Sequence, residues 1–220
     1  LGLKDWVNGH MEAGLRSGSL FEPFPEEISR SIADIFSDFL FAPSVRSMEN
    51  VKHLSGKRIL TGNTIVDAVI DCVAIAKRMG LKFPNGDYVL VNIHRHENIK
   101  SFERLSRIIK IIEKVKLPMI WPIHDNTKHQ LMKFGLWKKL TKLNIRFLSL
   151  IDYIRFIWLL NNCKYVITDG GSIQEESLAL KKPCVILRLK TERQEGLETG
   201  INFLTKLDVE YATKIIQNIE

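Results

Sequence analysis

The chain has 220 residues, of which 45% are hydrophobic and 26% are charged, so disordered and fibrous classes are excluded. Its formal charge of +7 would suit a partner that carries phosphates. However, the lysines and arginines are spread along the chain and no motif of a nucleic-acid-binding module occurs, so we expect no nucleic-acid partner.

The cysteines, Cys72, Cys163 and Cys184, are widely separated within apolar runs, and we expect them to be buried free thiols in a reducing compartment. No signal peptide opens the chain, and no apolar run approaches the roughly 18 residues that suggest a membrane span. These features favour a cytoplasmic protein that does not contact a membrane.

The first 64 residues predict three short strands, at the approach to Gly9, in FLFAP and in KRILTG. Helices are expected around Glu26–Phe36 and Val45–Leu54. Three short strands do not form a self-sufficient parallel sheet, so residues 1–64 are interpreted as the remainder of an incomplete first domain. A helical connection from Thr64 to about Gly80 leads into a second domain, residues 65–220.

Two charged motifs in the first domain, HMEAGLR and FPEEISR, are surrounded by glycine and proline. This spacing predicts that their charged residues lie on loops and not on a plain helical face: His10, Glu12, Arg16, Glu26, Glu27 and Arg30. Carboxylates on loops beside arginines are typical of a reaction centre.

From residue 87 onward, apolar runs rich in Val and Ile alternate with amphipathic segments. The runs are DYVLVNI, PMIWPI, NIRFL, KYVIT and PCVIL. This alternation predicts an α/β fold class, with a nearly complete doubly wound parallel sheet in the second domain.

Polar residues follow several of these runs. His94 comes after the first run, His124 after the second, and Asp169-Gly170-Gly171-Ser172 after KYVIT. In open α/β sheets, ligands bind beyond the carboxyl ends of the strands, so these residues are candidates for a binding site. For each histidine taken singly, an ordinary polar loop explains its position equally well.

The stretch TDGGSIQEE carries a more specific signal. Gly170 and Gly171 allow close backbone approach, and the N–H groups of the helix start that follows can hold a phosphate. Ser172 and Glu175 match the capping box S-x-x-E, which would give both a structural role. Glu176 is then the carboxylate left to meet a ligand hydroxyl.

The segment RLKTERQEGLETG follows the last predicted strand. Thr191 and Gln194 fit a second capping box, and Gly200 fits the residue just beyond a helix end. Arg188 and Arg193 exceed what helix ends require and suit bidentate contacts with phosphate or carboxylate. A solvated helix face is the alternative interpretation of these arginines.

The chain resembles the non-hydrolysing UDP-N-acetylglucosamine 2-epimerase family in the order and approximate spacing of HMEAGLRS, PEEISR, FAPS, TGNTIVDAV, HRHENI, DGGSIQEE and TERQE. The resemblance implies two Rossmann-like domains of GT-B type with a cleft between them. It implies interconversion of UDP-N-acetylglucosamine and UDP-N-acetylmannosamine, usually for polysaccharide precursors, by anti elimination of UDP and re-addition through 2-acetamidoglucal. This chemistry requires a UDP-sugar substrate and neither a metal nor a redox cofactor.

By motif, the resemblance assigns Glu12 and Glu26 to carboxylates of the reaction centre, Arg30 to a nearby arginine, and His94 to a histidine near the diphosphate and sugar. The remaining assignments concern the nucleotide: the phosphate loop at Gly170, Gly171 and Ser172, the carboxylate on the ribose hydroxyls at Glu176, and further contacts at His124, Arg188 and Arg193.

The chain departs from the family in two ways. DGGS stands where the family commonly has DSGG, so Gly170 occupies the position of the family's serine. Ser172 would then have to supply the hydroxyl group in its place. The resemblance also begins inside the family's first domain and stops before its terminal helix, so a fragment is expected, and with it a reaction-centre aspartate upstream of Leu1. The family is typically dimeric, which makes a homodimer the expected assembly.

Three alternatives stay open at this point. The first is a catalytically impaired fragment that binds a UDP-sugar without converting it. The second is the hydrolysing 2-epimerase, which releases UDP and free N-acetylmannosamine. The third is a GT-B glycosyltransferase, which shares the nucleotide loop but does not explain HMEAGLR and PEEISR.

Overall fold

The computed structural model describes residues 6–19, 25–82 and 84–220. The chain folds into two compact units. Unit 1 combines Leu1–Thr64 with Lys190–Arg193, and unit 2 combines Ile65–Leu189 with Gln194–Glu220.

Unit 1 contains a three-stranded parallel sheet of β1 (Gly9–Met11), β2 (Phe39–Ala42) and β3 (Lys57–Leu60), in that order. Helix α1 (Glu26–Phe36) connects β1 to β2, and α2 (Val45–Asn50) connects β2 to β3. The two later strands and both helices confirm the prediction. The first strand starts at Gly9 and does not lead up to it; part of the predicted approach lies outside the described residues.

The expectation that all the charged residues of the two motifs lie on loops is wrong. His10 lies within β1, and Glu26, Glu27 and Arg30 lie in the first turns of α1. Pro25 is the N-cap residue of α1 and does not interrupt it, because the N–H groups of a helix's first turn have no intrahelical partner to lose. Acidic residues in the first turn also interact favourably with the helix dipole.

Unit 2 contains a six-stranded sheet of β4 (Val89–Asn92), β5 (Met119–Pro122), β6 (Ile145–Leu148), β7 (Tyr165–Thr168), β8 (Cys184–Ile186) and β9 (Asn202–Leu204). All neighbouring strands are parallel, in the order β6-β5-β4-β7-β8-β9. This is the strand order of a Rossmann fold and confirms the doubly wound sheet. The sequence does not predict the last strand, because three residues without a Val or Ile run give no strand signal.

The helices of unit 2 are α3 (Ile65–Arg78), α4 (His96–Ile99), α5 (Phe102–Ile112), α6 (Asp125–Lys133), α7 (Trp137–Leu140), α8 (Tyr153–Asn162), α9 (Gly171–Ala179), α10 (Glu195–Glu198) and α11 (Val209–Ile219). Helix α3 confirms the predicted helical connection. Because alternate residues of a strand face opposite sides, Val89 and Val91 lie in one apolar cluster and Leu90 in a second. The sheet is therefore covered on both faces.

The three cysteines are buried and unpaired, as predicted. Within residues 6–19, 25–82 and 84–220, no group of three or more His, Cys, Asp or Glu side chains is arranged to hold a metal ion. None of the helices in these ranges combines the length and the apolar character that a membrane crossing requires.

Candidate functional site

The carboxyl edge of the unit 2 sheet gathers several predicted residues. β4 leads into His94, β5 into His124, and β7 into Asp169 and Gly170. All these strands are parallel, so the residues that follow them lie at one edge. The strand order reverses direction between β4 and β7, which is the point where doubly wound sheets bind ligands.

A cavity of about 350 Å³ opens at this edge. Its polar lining includes four of the predicted residues, namely His94, His124, Ser172 and Glu176, together with Asn92 and Tyr153. Its apolar lining is formed by Pro122, Leu150, Ile151, Phe156 and Ile173. An apolar wall with a few convergent polar groups is typical of a small-molecule site.

The two histidines stack on each other, with 4.7 Å between ring centroids and 25° between ring planes. His94 Nδ1 lies 2.8 Å from the side-chain oxygen of Asn92. Because that oxygen can only accept, Nδ1 carries the proton and donates it, which leaves Nε2 as the second ring nitrogen for a ligand. Burial, and then the charge of His94, lower the pKa of His124 below its ordinary value of 6.5.

Asp169 fixes the loop that carries His94. Its fully buried carboxylate accepts hydrogen bonds from the backbone N–H groups of His94 and Arg95 and from the Asn98 side chain, each at 3.0 Å. Burial raises the pKa of Asp169, while these donors act in the opposite direction. The sequence places the aspartate at the end of β7 without revealing this role, because its backbone donors lie 75 and 74 residues away and no local pattern marks them.

Helix α9 begins at the glycines of TDGGS. Its N-cap residue is Gly170 and no side chain caps it, so the predicted capping box of Ser172 and Glu175 is wrong. The helix starts two residues earlier than that box requires, and Ser172 is exposed on the cavity wall. The first N–H groups of the helix lack intrahelical partners, which suits an anion.

Gly170 leaves little room for a side chain. A Cβ at this position would lie 3.2 Å from Ile173 Cδ1, 3.3 Å from Thr168 Oγ1 and 3.4 Å from His94 Cε1. Its backbone N–H donates to Thr168 Oγ1 at 2.9 Å. A serine here, as in DSGG, would require these neighbours to shift, so the glycine is matched to the closeness of His94.

Glu176 is a buried carboxylate in the wall of the cavity. It is only 3% exposed, and its Oε1 accepts a hydrogen bond of 3.0 Å from the Tyr153 hydroxyl. Its Oε2 accepts none from any residue in the described part of the chain. Burial raises its pKa to about 7, although the Tyr153 bond lowers it. Arg188, by contrast, is buried in unit 2 and does not line the cavity.

In unit 1, Glu12 occupies a tight turn directly after β1. Its backbone has a φ of +60°, in the left-handed region that side chains other than glycine seldom adopt. It borders a second cavity, of about 290 Å³, with Met11, Phe41, Pro43 and residues 61–64. These residues follow or end the three strands of unit 1, so this cavity also lies at a carboxyl edge. Strained backbone of this kind is concentrated at functional sites.

Charged side chains of alternating sign form a chain from this turn. Arg193 Nη2 donates to Glu12 Oε2 at 3.3 Å, and Arg193 Nη1 donates to Glu192 Oε1 at 2.7 Å. Arg30 then reaches Glu192 at 3.5 Å and Glu27 at 4.0 Å. Unit 1 thus brings together three predicted residues, Glu12, Arg30 and Arg193, while Glu26 lies partly buried at the start of α1. Sequence reasoning missed Glu192, which the motif TERQE contains.

The turn itself is fixed by Asp34, a fully buried residue of α1. Its carboxylate accepts hydrogen bonds from His10 Nδ1 and Arg16 Nη2, each at 2.6 Å, and from Gly14 N at 3.2 Å. Burial acts to raise its pKa, but the bonds from His10 and Arg16 outweigh it and hold the pKa below the ordinary value of 3.8. Sequence reasoning missed this residue too, because an aspartate inside a helix gives no signal of its own.

The second predicted capping box is also wrong. Thr191 Oγ1 accepts from Arg193 N at 3.2 Å, two residues on, and Gln194 is the N-cap residue of α10, which its side chain does not cap. Gly200, with a φ of +71°, follows the end of α10, as predicted.

Comparisons with known proteins identify one family. A family described as UDP-N-acetylglucosamine 2-epimerase matches residues 7–220. The chain is 38% identical over 226 residues to a UDP-N-acetylglucosamine 2-epimerase of Methanococcus maripaludis, covering 96% of this chain and 61% of that protein.

Solved structures show the same likeness. The Methanocaldococcus jannaschii UDP-GlcNAc 2-epimerase in complex with UDP-GlcNAc and UDP is 36% identical with a TM-score of 0.86, covering 96% of this chain and 61% of that one. The Neisseria meningitidis enzyme bound to UDP-GlcNAc is 29% identical with a TM-score of 0.81, covering 96% and 60%. These matches confirm the predicted GT-B-like α/β fold class. The chain spans about three fifths of the length of these relatives.

Proposed function

The chain belongs to the UDP-N-acetylglucosamine 2-epimerase family, and we propose on this basis that it binds a UDP-sugar and interconverts UDP-N-acetylglucosamine and UDP-N-acetylmannosamine without hydrolysis. The observation that carries the proposal is the cavity at the carboxyl edge of unit 2, where His94, His124, Ser172 and Glu176 converge beside a helix start. The relative from Methanocaldococcus jannaschii, whose complex contains UDP-GlcNAc and UDP, supports the choice of ligand.

The nucleotide is assigned to unit 2. The N–H groups at the start of α9 supply donors for a diphosphate. His94, whose Nδ1 donates to Asn92, adds a donor at Nε2 only when the ring also carries a proton there. Glu176 Oε2 supplies an acceptor for hydroxyl groups of the ligand, since no residue of the described ranges uses it. A diphosphate that departs as UDP gains negative charge, so these donors favour the step in which it leaves.

The proton transfers are assigned to unit 1. The C2 proton beside the acetamido group is not acidic, so its loss is coupled to cleavage of the C1–O bond, which gives UDP and 2-acetamidoglucal. Returning a proton to the opposite face of C2 and rebuilding the C1–O bond completes the inversion. Two acid-base groups are required, one for each face, and Glu12 and Glu26 are the carboxylates assigned to them. Arg30 and Arg193 supply positive charge next to these carboxylates.

A second candidate is binding of the UDP-sugar without turnover. The chain spans only 61% of the length of its Methanococcus maripaludis relative, so groups of the relative's reaction centre can lie outside the matched part. Hydrolysing epimerisation is a third outcome, since it would use the same nucleotide cavity.

Proton and phosphorus NMR of UDP-N-acetylglucosamine incubated with the chain separates these functions. We expect the anomeric signal of UDP-N-acetylmannosamine, with no free UDP accumulating. Free UDP together with N-acetylmannosamine would instead identify the hydrolysing reaction. Saturable binding with unchanged substrate would identify a binding protein.

Variants assign the reaction to the proposed residues. We expect Glu12→Gln and Glu26→Gln to lower the rate about 10²- to 10⁴-fold, the usual effect of removing an acid-base group, with little change in affinity for UDP. Glu49→Gln is the matched control, because Glu49 is an exposed carboxylate of the same unit that pairs with the exposed Lys52. A rate that is equal in all three variants would contradict the assignment.

A further inference from the structure

Tyr153 and Glu176 form one unit in the wall of the unit 2 cavity. Tyr153 is the first residue of α8, and its hydroxyl reaches Glu176 of α9 at 3.0 Å. The tyrosine uses Oε1 of the carboxylate, while Oε2 is buried and accepts no bond from the residues described. A buried carboxylate oxygen without a donor is costly unless a ligand supplies one.

The tyrosine is a permanent donor to this carboxylate. Burial, and then the charge of Glu176, raise the pKa of Tyr153 well above its ordinary value of 10, so the hydroxyl keeps its proton at any physiological pH. A donor at Oε1 stabilises the ionised form of Glu176 and fixes the plane of the carboxyl group. The bond therefore opposes the burial that otherwise favours the protonated form.

We propose that Tyr153 is a positioning residue that keeps Glu176 ionised and directs its second oxygen to the vicinal hydroxyls of a bound nucleotide, so that hydroxyl recognition is lost below neutral pH. The inference rests on the proposed function, because a UDP-sugar supplies these hydroxyls. An ionised carboxylate can accept hydrogen bonds from two neighbouring hydroxyls, whereas in a carboxylic acid one of the two oxygens carries a proton and acts as a donor.

Other titratable groups surround Glu176. Glu175 adjoins it on α9, Cys72 faces it from α3, and His94 and His124 lie on other walls of the cavity. The terminal phosphate of UDP also changes charge near neutral pH. A test must therefore compare two ligands that differ only in the hydroxyls, so that these contributions cancel.

The ligand pair is UDP and 2′,3′-dideoxy-UDP, whose dissociation constants are measured by calorimetry between pH 5.5 and 8.5. For the wild-type chain we expect UDP to bind about 10- to 100-fold more tightly than the dideoxy compound at high pH, as for hydrogen bonds to a charged group. At low pH we expect the ratio of the two dissociation constants to approach 1. In Tyr153→Phe, this loss of preference for UDP should occur at a higher pH than in the wild type, so the ratio at pH 7 should be several-fold smaller.

The matched control is Tyr211→Phe, which removes the hydroxyl of an exposed tyrosine on α11 and leaves the profile unchanged. The pair UDP-N-acetylglucosamine and its 3-deoxy analogue distinguishes sugar hydroxyls from those of the ribose: the same pH profile in this pair supports recognition of the sugar by the same carboxylate. A preference independent of pH in both pairs would overturn the proposal, and this result needs no variant to fold.

A measurement without ligand separates the inference from the proposed function. The ¹³Cδ signal of Glu176, assigned by its loss in Glu176→Gln, reports ionisation directly. We expect its titration midpoint to be higher in Tyr153→Phe than in the wild type; equal midpoints in folded proteins would overturn the role of Tyr153. Absence of UDP binding at every pH, with the midpoints still shifted, would instead refute the proposed nucleotide function.

Discussion

Asp34 is a buried charge that fixes the turn of unit 1. Its three hydrogen bonds connect α1 to His10 of β1 and to the turn that carries Glu12. The side chain is fully buried, so these hydrogen-bond donors, and not water, stabilise the negative charge of the carboxylate. A strained Glu12 persists because the residues around it are held in this way.

Replacing Asp34 by Asn is expected to destabilise unit 1 by about 1–3 kcal/mol at pH 7, because hydrogen bonds to a charged group are lost. The folded-state pKa of Asp34 lies below its unfolded value of 3.8, so this contribution is complete above 3.8 and disappears as the pH falls through the folded-state pKa. Urea unfolding of Asp34→Asn and wild type at pH 7 and below pH 3.8 measures it. Glu49→Gln, at an exposed ion pair, should cost less than about 0.5 kcal/mol.

Glu176 has the opposite linkage. Its folded-state pKa of about 7 lies above the ordinary 4.5, so ionising it costs stability as the pH rises through this window. We expect the free energy of unfolding of Glu176→Gln, measured by urea titration, to exceed that of the wild type by about 3 kcal/mol at pH 8. At pH 4 the two free energies should be equal. Glu210→Gln, at an exposed carboxylate of α11, should differ little at either pH. A Glu176→Gln variant less stable than wild type at pH 8 would contradict the unfavourable burial of this charge.

At the scale of elements, α2 packs directly on the turn of Glu12. The backbone of Gly14 has a φ of +81°, and its carbonyl accepts from the Asn50 side chain at 2.8 Å. A Cβ on Gly14 would lie 2.0 Å from the backbone oxygen of Ser47, which belongs to α2. The turn and the helix can therefore keep their places only with glycine here.

Gly14→Ala is expected to destabilise the chain by about 1–3 kcal/mol more than Gly62→Ala, because a backbone atom must move to admit the methyl group. Gly62 is the matched control: its φ is +75°, yet a Cβ there would meet nothing within 4 Å. Thermal or urea unfolding of the two variants gives the difference. Equal losses would mean that only backbone strain matters and that α2 does not constrain the turn.

The elements were predictable wherever their signal is local. The apolar runs ending at Asn92, Pro122 and Thr168 identified central strands, since buried parallel strands are continuously hydrophobic. The capping boxes failed because a sequence match does not fix where a helix begins; α9 begins two residues before the position that the Ser172 box predicts. Asp34 was not predicted as a site residue, and Asp169 was predicted without its role in fixing the His94 loop, because the partners of both are distant in sequence.

On the scale of the whole molecule, the apolar core formed by residues 6–19, 25–82 and 84–220 is unevenly divided between the units. Two large clusters cover the faces of the unit 2 sheet, whereas the cluster in unit 1 is built on Ala13, Leu40 and Val51, with Leu54 beside it. Buried apolar area is the main favourable contribution to folding, so unit 2 contains most of the stabilisation. The homodimer and the cytoplasmic location expected from the sequence stay predictions.

A piece comprising residues 65–220 is therefore expected to fold cooperatively and to bind UDP, because it contains the six-stranded sheet and the cavity of unit 2 that we propose for the nucleotide. Residues 1–64 alone are expected to stay unfolded, since three short strands bury little. Circular dichroism with urea titration, and calorimetry with UDP, test both statements. A piece 65–220 that lacks a cooperative transition would contradict the assignment of the core.

Solvent exchange at C2 of the substrate tests the central claim most directly. UDP-N-acetylglucosamine is incubated with the chain in deuterated water, and the C2 proton signal is followed by NMR. The account predicts that deuterium enters C2 with wild type, and that Glu12→Gln abolishes this exchange while its affinity for UDP is unchanged. A folded wild-type chain that binds UDP without any exchange, or exchange undiminished in Glu12→Gln, would contradict the account.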